Sequence, residues 1–217
     1  MHVAAGAIVC RSQPGAYARR LMSDFDFVFS LFGLLLGFSL IEVLGGLAKV
    51  IEAQLRAIKV GSEAPGAAPF RAGWLTPLLG LYIMLDVISF WGSAWVARGV
   101  IRYDGPIVLG GLLFAGSYYI AAHLVFPTEK ADWADLDAHY FRVRQAVFGV
   151  LIALTTFQAA FLMTVPGVAE AMRSPVVLVS AALLYVLLAA AMFVRGKRAS
   201  IVVLALLSLR YAFQYLM

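Results

Sequence analysis

Glu42 and Asp86 are carboxylates set inside apolar runs, residues 27–47 and 74–97, each long enough to cross a membrane. Arg210 is their basic counterpart: residues 199–209 alone are too short to span, so the C-terminal run crosses only by carrying the guanidinium inside it. Charged side chains at such depth are costly, and they persist where they face a protein interior, a water-filled path or a partner charge. The chemistry open to this set is uptake and release of a proton or cation. A carboxylate beside a fixed cation is held ionised, and one desolvated alone is held protonated, so a change in what lies near Asp86 switches its state.

Polar neighbours follow at helical spacing. Ser39, Glu42, Gly46 and Lys49 share one face of the first run, and Tyr82, Asp86, Ser89 and Ser93 share one face of the second. Counted inward from one membrane face, Asp86 is twelve residues from Trp74, Gln158 twelve from Ala146 and Arg210 eleven from Ala199. At about 1.5 Å per residue the three are level within a turn. Glu42 is level with Tyr82, about one turn closer to that face, and His123 is shallower still. These depths predict an Asp86–Arg210 ion pair at mid-membrane and a Glu42 side chain facing the bundle interior beside Tyr82. They also predict a route from that face to the middle lined by Ser39, Tyr82, Ser89, Gln158 and His123. The competing reading is structural. In it Asp86 and Arg210 clamp helix register, or Arg210 snorkels past Met217, Lys49 neutralises Glu42, and Tyr118, Tyr119, Trp91 and Trp95 are packing or interface anchors.

The elements that must position these residues are all helical. The 217 residues are 63% hydrophobic and 13% charged, with mean hydropathy +0.90, which leaves too little polar surface to coat a soluble globule. An all-α polytopic transmembrane bundle follows. A span takes about 20 apolar residues, and six fit: 25–47, 74–97, 106–126, 146–165, 175–194 and 199–217, a single transmembrane domain. The first run continues past the membrane as an amphipathic helix, with Ile51, Leu55 and Ile58 on one side and Glu52 four residues before Arg56, and ends in a Pro- and Gly-rich linker over 61–69. The third stops at Pro127, where Thr128 is expected to cap a surface helix over 129–140. The acidic stretch 129–137 lacks the alternating ligands and turn glycine of a calcium loop and reads as a solvated face. A weak echo at an offset of 116 residues, Phe32-Gly33 against Phe148-Gly149 and Glu42 against Gln158, would make a 3+3 inverted repeat.

The net charge of +5 comes from basic residues in loops beside span ends, which lipid headgroups and topology explain without nucleic acid. Ten Lys and Arg flank the first, third and fifth connections and six lie on the other side, so the positive-inside rule places the odd connections in the cytoplasm and both termini outside. A start at Met22 would widen the margin to ten against three. Cys10 is the single cysteine and excludes an intramolecular disulfide, and residues 3–10 are too short for a signal-peptide core. With one histidine in the spans and no HExxH, CxxC, GxSxG or P-loop pattern, neither haem nor a metal nor another cofactor is expected. The expected partners are membrane lipids, a proton or small cation, and a second copy meeting this one through Gly33 and Gly37 or Gly110 and Gly111.

The stretch Gly73-Trp-Leu-Thr-Pro-Leu-Leu-Gly80, followed by Asp86 and Ser89-Phe-Trp91, resembles uncharacterised bacterial six-span integral membrane proteins. The resemblance implies a bacterial inner (plasma) membrane and attaches no function. The leading expectation is a small transporter or channel coupled to a proton or cation, with Glu42 and Asp86 handling the ion and Arg210 setting the charge of Asp86. A non-enzymatic subunit, sensor or assembly factor whose buried charges only hold the bundle comes second. An enzyme acting on a lipid or quinone through Glu42, Asp86 and His123 comes third.

Overall fold

The computed structural model describes residues 24–61, 73–99, 104–165 and 167–216. Seven α-helices occur among the described residues: α1 (Asp24–Gly61), α2 (Leu75–Val96), α3 (Gly105–Val125), α4 (Leu136–Leu162), α5 (Val168–Met172), α6 (Pro175–Phe193) and α7 (Lys197–Leu216). Two 3-10 turns, Ala97–Gly99 and Lys130–Ala134, lie between them. Helices α1, α2, α3, α4 and α6 are long and apolar enough to cross a membrane, the architecture of an integral membrane protein. Helix α7 is not one of these five.

Local chemistry sets the boundaries. Asp104 accepts the Ile107 N–H at 2.9 Å just before Pro106, an N-cap followed by a residue with no N–H to satisfy. Ser174 and Pro175 repeat the arrangement at α6. The expected surface helix over 129–140 is replaced by the Lys130–Ala134 turn and the first turn of α4, which is capped by Asp135 accepting from Ala138 N–H at 3.0 Å, not by Thr128. The reason is phase: Leu136, Tyr140, Val147, Leu151 and Leu154 form one buried stripe at helical spacing, so the opening turn belongs to α4 and packs with it.

Helix α2 sits at the centre, packed against α1, α3, α4 and α7, while α1 lies along α3, α3 on α4, α4 on α6 and α6 on α7. A 3+3 repeat would have α4 meet α7 as α1 meets α3; α4 packs on α3 and α6 instead. Hydrocarbon gives helices little hydrophobic reason to associate, so close approach matters. At Gly111 the Phe32 ring occupies the space a Cβ would take, and Gly33 faces Trp91 at van der Waals distance. Both residues, expected as contacts to a second copy, are thus used within the chain, whereas Gly37 and Gly110 have open space beside them.

The turns before α2, before α4 and before α7 gather at one end of the bundle, here the Gly73 end. The opposite, Asp104 end carries the α2–α3 and α4–α6 connections. Helix α1 is continuous over its 38 residues, and its Glu52–Arg56 ion pair (3.5 Å) and exposed Ile51 and Leu55 fit the expected amphipathic extension. The N-terminal stretch with Cys10 and Met22, and linker residues 62–69, lie outside the described residues.

Candidate functional site

Asp86 stands midway along α2 and is 4% exposed. Its helix packs against α1, α3, α4 and α7 among the described residues, and this surrounds the middle of α2 and accounts for the burial. The Tyr118 hydroxyl of α3 donates to Oδ2 at 2.7 Å, and the Tyr211 hydroxyl of α7 donates to Oδ1. Each carboxylate oxygen therefore has a donor, as a buried polar group requires. Tyr82, one turn nearer the Gly73 end, packs its ring against Tyr211 (5.9 Å between centroids) and Phe148 (6.2 Å). These three rings make an aromatic layer on that side of Asp86.

On the other side a cavity of about 920 Å³ lies between α2, α4, α6 and α7. Asp86, Ser89, Gln158, Ser180, Arg210 and Tyr211 are among its polar lining groups. The lining runs from Asp86 onward in α2, from Thr155 to Leu162 in α4, from Val176 to Leu187 in α6 and from Leu206 to Phe213 in α7. By helix direction most of this lies in the Asp104 half of the bundle, with the α6 wall reaching past the middle to Leu187. The expected route from the Gly73 end is corrected accordingly: the space adjoining Asp86 lies toward the opposite face. Gln158 also borders a second, apolar cavity of about 230 Å³ against α1 and α3.

The predicted Asp86–Arg210 ion pair is not formed. Arg210 donates from Nη2 to Ser180 Oγ at 3.1 Å, its Cζ lies 5.3 Å from the centre of the Tyr211 ring, and its Nε is buried without a partner. Consecutive residues on a helix diverge by about 100°, so Tyr211, aimed at α2, carries Arg210 round toward α6. The two charges share a cavity without touching.

Glu42 is corrected in the same way. Val43 fills the side of α1 that faces the core, which turns Glu42 onto the seam with α3, where Oε1 lies 2.8 Å from His123 Nδ1. The two side chains are 37% and 49% exposed, and His123 stacks on Tyr119. Neither Glu42 nor His123 adjoins Tyr82 or the cavity. Ser39 is buried but returns its hydroxyl to Leu35 O of its own helix at 3.4 Å. Of the expected lining residues, Ser89 and Gln158 reach the cavity, and Tyr82 lies beneath it.

A second polar cluster, at the Gly73 end, centres on Asp137. Its Oδ1 accepts the Leu75 N–H at the start of α2 (3.2 Å), and Oδ2 pairs with Lys197 at the start of α7. Gly73 is required there, because a Cβ would overlap the Asp137 carboxylate. Thr76 donates to Leu136 O at 2.6 Å, Arg144 donates from Nη1 to Val194 O at the end of α6, and His139 Nε2 lies 3.2 Å from Leu124 O near the end of α3. Five helix ends are thereby tied by side chains of α2 and the first turns of α4. The solvated-face reading of 129–137 holds for Asp132, which pairs with Arg142 at 2.7 Å, and fails for Asp137. The missed signal was its place one residue after Leu136, the first member of the buried α4 stripe. No group of three or more His, Cys, Asp or Glu is placed to hold a metal ion among the described residues.

Compared with protein-family models, curated proteins and solved structures, the chain matches none.

Proposed function

We propose that this chain is a small integral membrane transporter in which Asp86 takes up and releases a proton or small cation at the floor of the α2–α4–α6–α7 cavity. One observation carries the reading: a carboxylate at the middle of the central helix borders a large cavity on one side and an aromatic layer on the other. An intramembrane acid in that position suits alternating access, since an ion can reach it from the Asp104 end while Tyr82, Tyr211 and Phe148 close the way onward. The closed layer favours a transporter over an open channel. In this reading α7 is a sixth crossing, held against α2 by Tyr211, and the positive-inside count sets the Gly73 end in the cytoplasm of a bacterial inner membrane. Glu42, paired with His123 outside the cavity, is a second proton acceptor nearer the Gly73 end.

Reconstitution into liposomes tests the proposal. Flux driven by a pH gradient is expected, and Asp86→Asn, which keeps size and an acceptor oxygen while removing the titratable group, should reduce it at least tenfold. Unchanged flux in that variant would remove Asp86 from the mechanism. The second reading, a membrane subunit held together by its buried charges, is favoured by the complete pairing of both Asp86 oxygens with tyrosine hydroxyls. A folded protein with no flux under any gradient would establish it over the first.

A further inference from the structure

Arg210 is the basic side chain of the large cavity, and it makes no ion pair among the described residues. A guanidinium offers five N–H donors in a planar fork matched to carboxylate and phosphate oxygens. Here Ser180 takes one donor, and the buried Nε has no hydrogen-bond partner among the described residues. The walls beside it are apolar: Val179, Leu183 and Leu187 from α6, and Leu206, Leu209 and Phe213 from α7. A cavity of about 920 Å³ is within the size range of sites that enclose a drug-sized molecule, and sites of that kind join an apolar lining to a few orienting polar groups.

We propose that this cavity binds a single-chain amphipathic anion, its head on Arg210 and its apolar body against α6 and α7. The proposal deepens the transporter reading by naming the substrate class, and the binding it describes stands without flux. Arg210 fixes the head by charge-assisted hydrogen bonds, Ser180 orients the guanidinium, and the α6–α7 wall selects for the body.

Occupancy also bears on Asp86. Tyr118 from α3 and Tyr211 from α7 donate to it, Tyr82 of α2 itself lies one turn below, Arg210 of α7, Thr155 and Gln158 of α4 and Tyr185 of α6 line the same cavity, and Glu42 of α1 is turned away to His123. Empty, the cavity holds one cation and one carboxylate. An anion on Arg210 makes two negative groups against one positive, which favours a proton on Asp86. Anion and proton therefore load together, and binding should tighten as pH falls, by up to about tenfold per pH unit for one linked proton.

The experiment titrates a dansyl-labelled undecanoic acid, and separately its neutral methyl ester, into the full chain in nanodiscs of neutral lipid. Saturable binding of the acid is expected, at least tenfold tighter than the ester, and at least tenfold weaker in Arg210→Gln with partial recovery in Arg210→Lys. In Asp86→Asn the acid should still bind, with a flattened pH dependence. Equal binding of acid and ester, absence of saturation, or equal affinity in wild type and Arg210→Gln would overturn the proposal. If Arg210→Gln does not elute as a folded species, the acid–ester contrast in the wild type decides the matter alone. Nanodiscs containing phosphatidylglycerol separate the two sources of an anionic head: undiminished probe binding supports the single-chain anion, and stoichiometric competition overturns it in favour of a lipid headgroup. Acid binding without flux would sink the transporter reading and leave this one standing, and proton flux without Arg210-dependent binding would do the reverse.

Discussion

Asp86 and Asp137 are both buried carboxylates, and the protein uses them in opposite ways. Asp137 is held by the Leu75 N–H at the head of α2, a backbone group that cannot move independently of the fold, and pairs also with the part-exposed lysine at the head of α7. Asp86 is held by two tyrosine hydroxyls, each able to re-aim its O–H without moving its ring, and it borders a cavity. Burial is the same and adaptability is not. A carboxylate clasped by backbone sets the position of a helix end, whereas one clasped by hydroxyls next to a cavity can change partners or protonation without moving a helix.

The largest effect should fall on the fixed cluster. Asp137→Ala removes a helix cap and strands neighbouring donors, and should cost about 3 kcal/mol in reversible unfolding from mixed micelles. Lys197→Ala should cost less than about 1 kcal/mol, because that side chain is 57% exposed and its pair is screened. Equal losses would mean that the ion pair, not the cap, holds this end. Next comes Asp86→Ala, which leaves two hydroxyls without an acceptor and should cost about 2 kcal/mol in the same assay. Were it to exceed Asp137→Ala, the contrast between an adaptable and a fixed region would be inverted.

Smaller still are Tyr118→Phe and Tyr211→Phe, at about 1 kcal/mol each. A double-mutant cycle sharpens the geometry: Asp86 should couple more strongly to Tyr211, with which it shares a hydrogen bond, than to Arg210, which it meets only across the cavity. The reverse order would restore the ion pair that the depths alone suggested. Glu42→Gln should change stability by less than about 0.5 kcal/mol, since its pair with His123 is partly exposed. A loss comparable to that of Asp86→Ala would show that the α1–α3 seam is closed by something further.

Depth was legible in the sequence and azimuth was not. Counting residues from span ends put Asp86, Gln158 and Arg210 at one level, and all three line one cavity. The same counting could not say whether Arg210 or its neighbour Tyr211 points at α2, nor whether Glu42 or Val43 faces the core, because a rotation of one residue leaves depth nearly unchanged. Applied to hydroxyl donors as well as charges, it would have raised Tyr118 and Tyr211 as partners for a buried acid. Asp137 was hidden for a different reason. It lies among acids that are solvated, and only the stripe beginning at Leu136 marks where α4 and its burial start. Helix α4 opens at that residue, ten before the span predicted at 146, because Asp137, His139, Arg142, Arg144 and Gln145 lower the hydropathy of its first turns, although Asp137, His139 and Arg144 are buried there beside the apolar stripe.

The one-sided cavity has an electrical consequence. Hydrated, it would carry the potential of the Asp104 side down to Asp86, and the membrane voltage would then fall across what remains: eleven residues of α2 between Asp86 and Leu75, about 16 Å at 1.5 Å per residue, against a hydrocarbon core of about 30 Å. The field there is roughly doubled. A charge travelling from the Asp104 side to Asp86 would cross almost none of the voltage, and one leaving Asp86 through the aromatic layer would cross nearly all of it, about 2.3 kcal/mol per elementary charge at 100 mV. With the cavity hydrated, the passage beneath Tyr82 would thus be where membrane potential acts on this protein, and the filling of the cavity above it would be electrically silent.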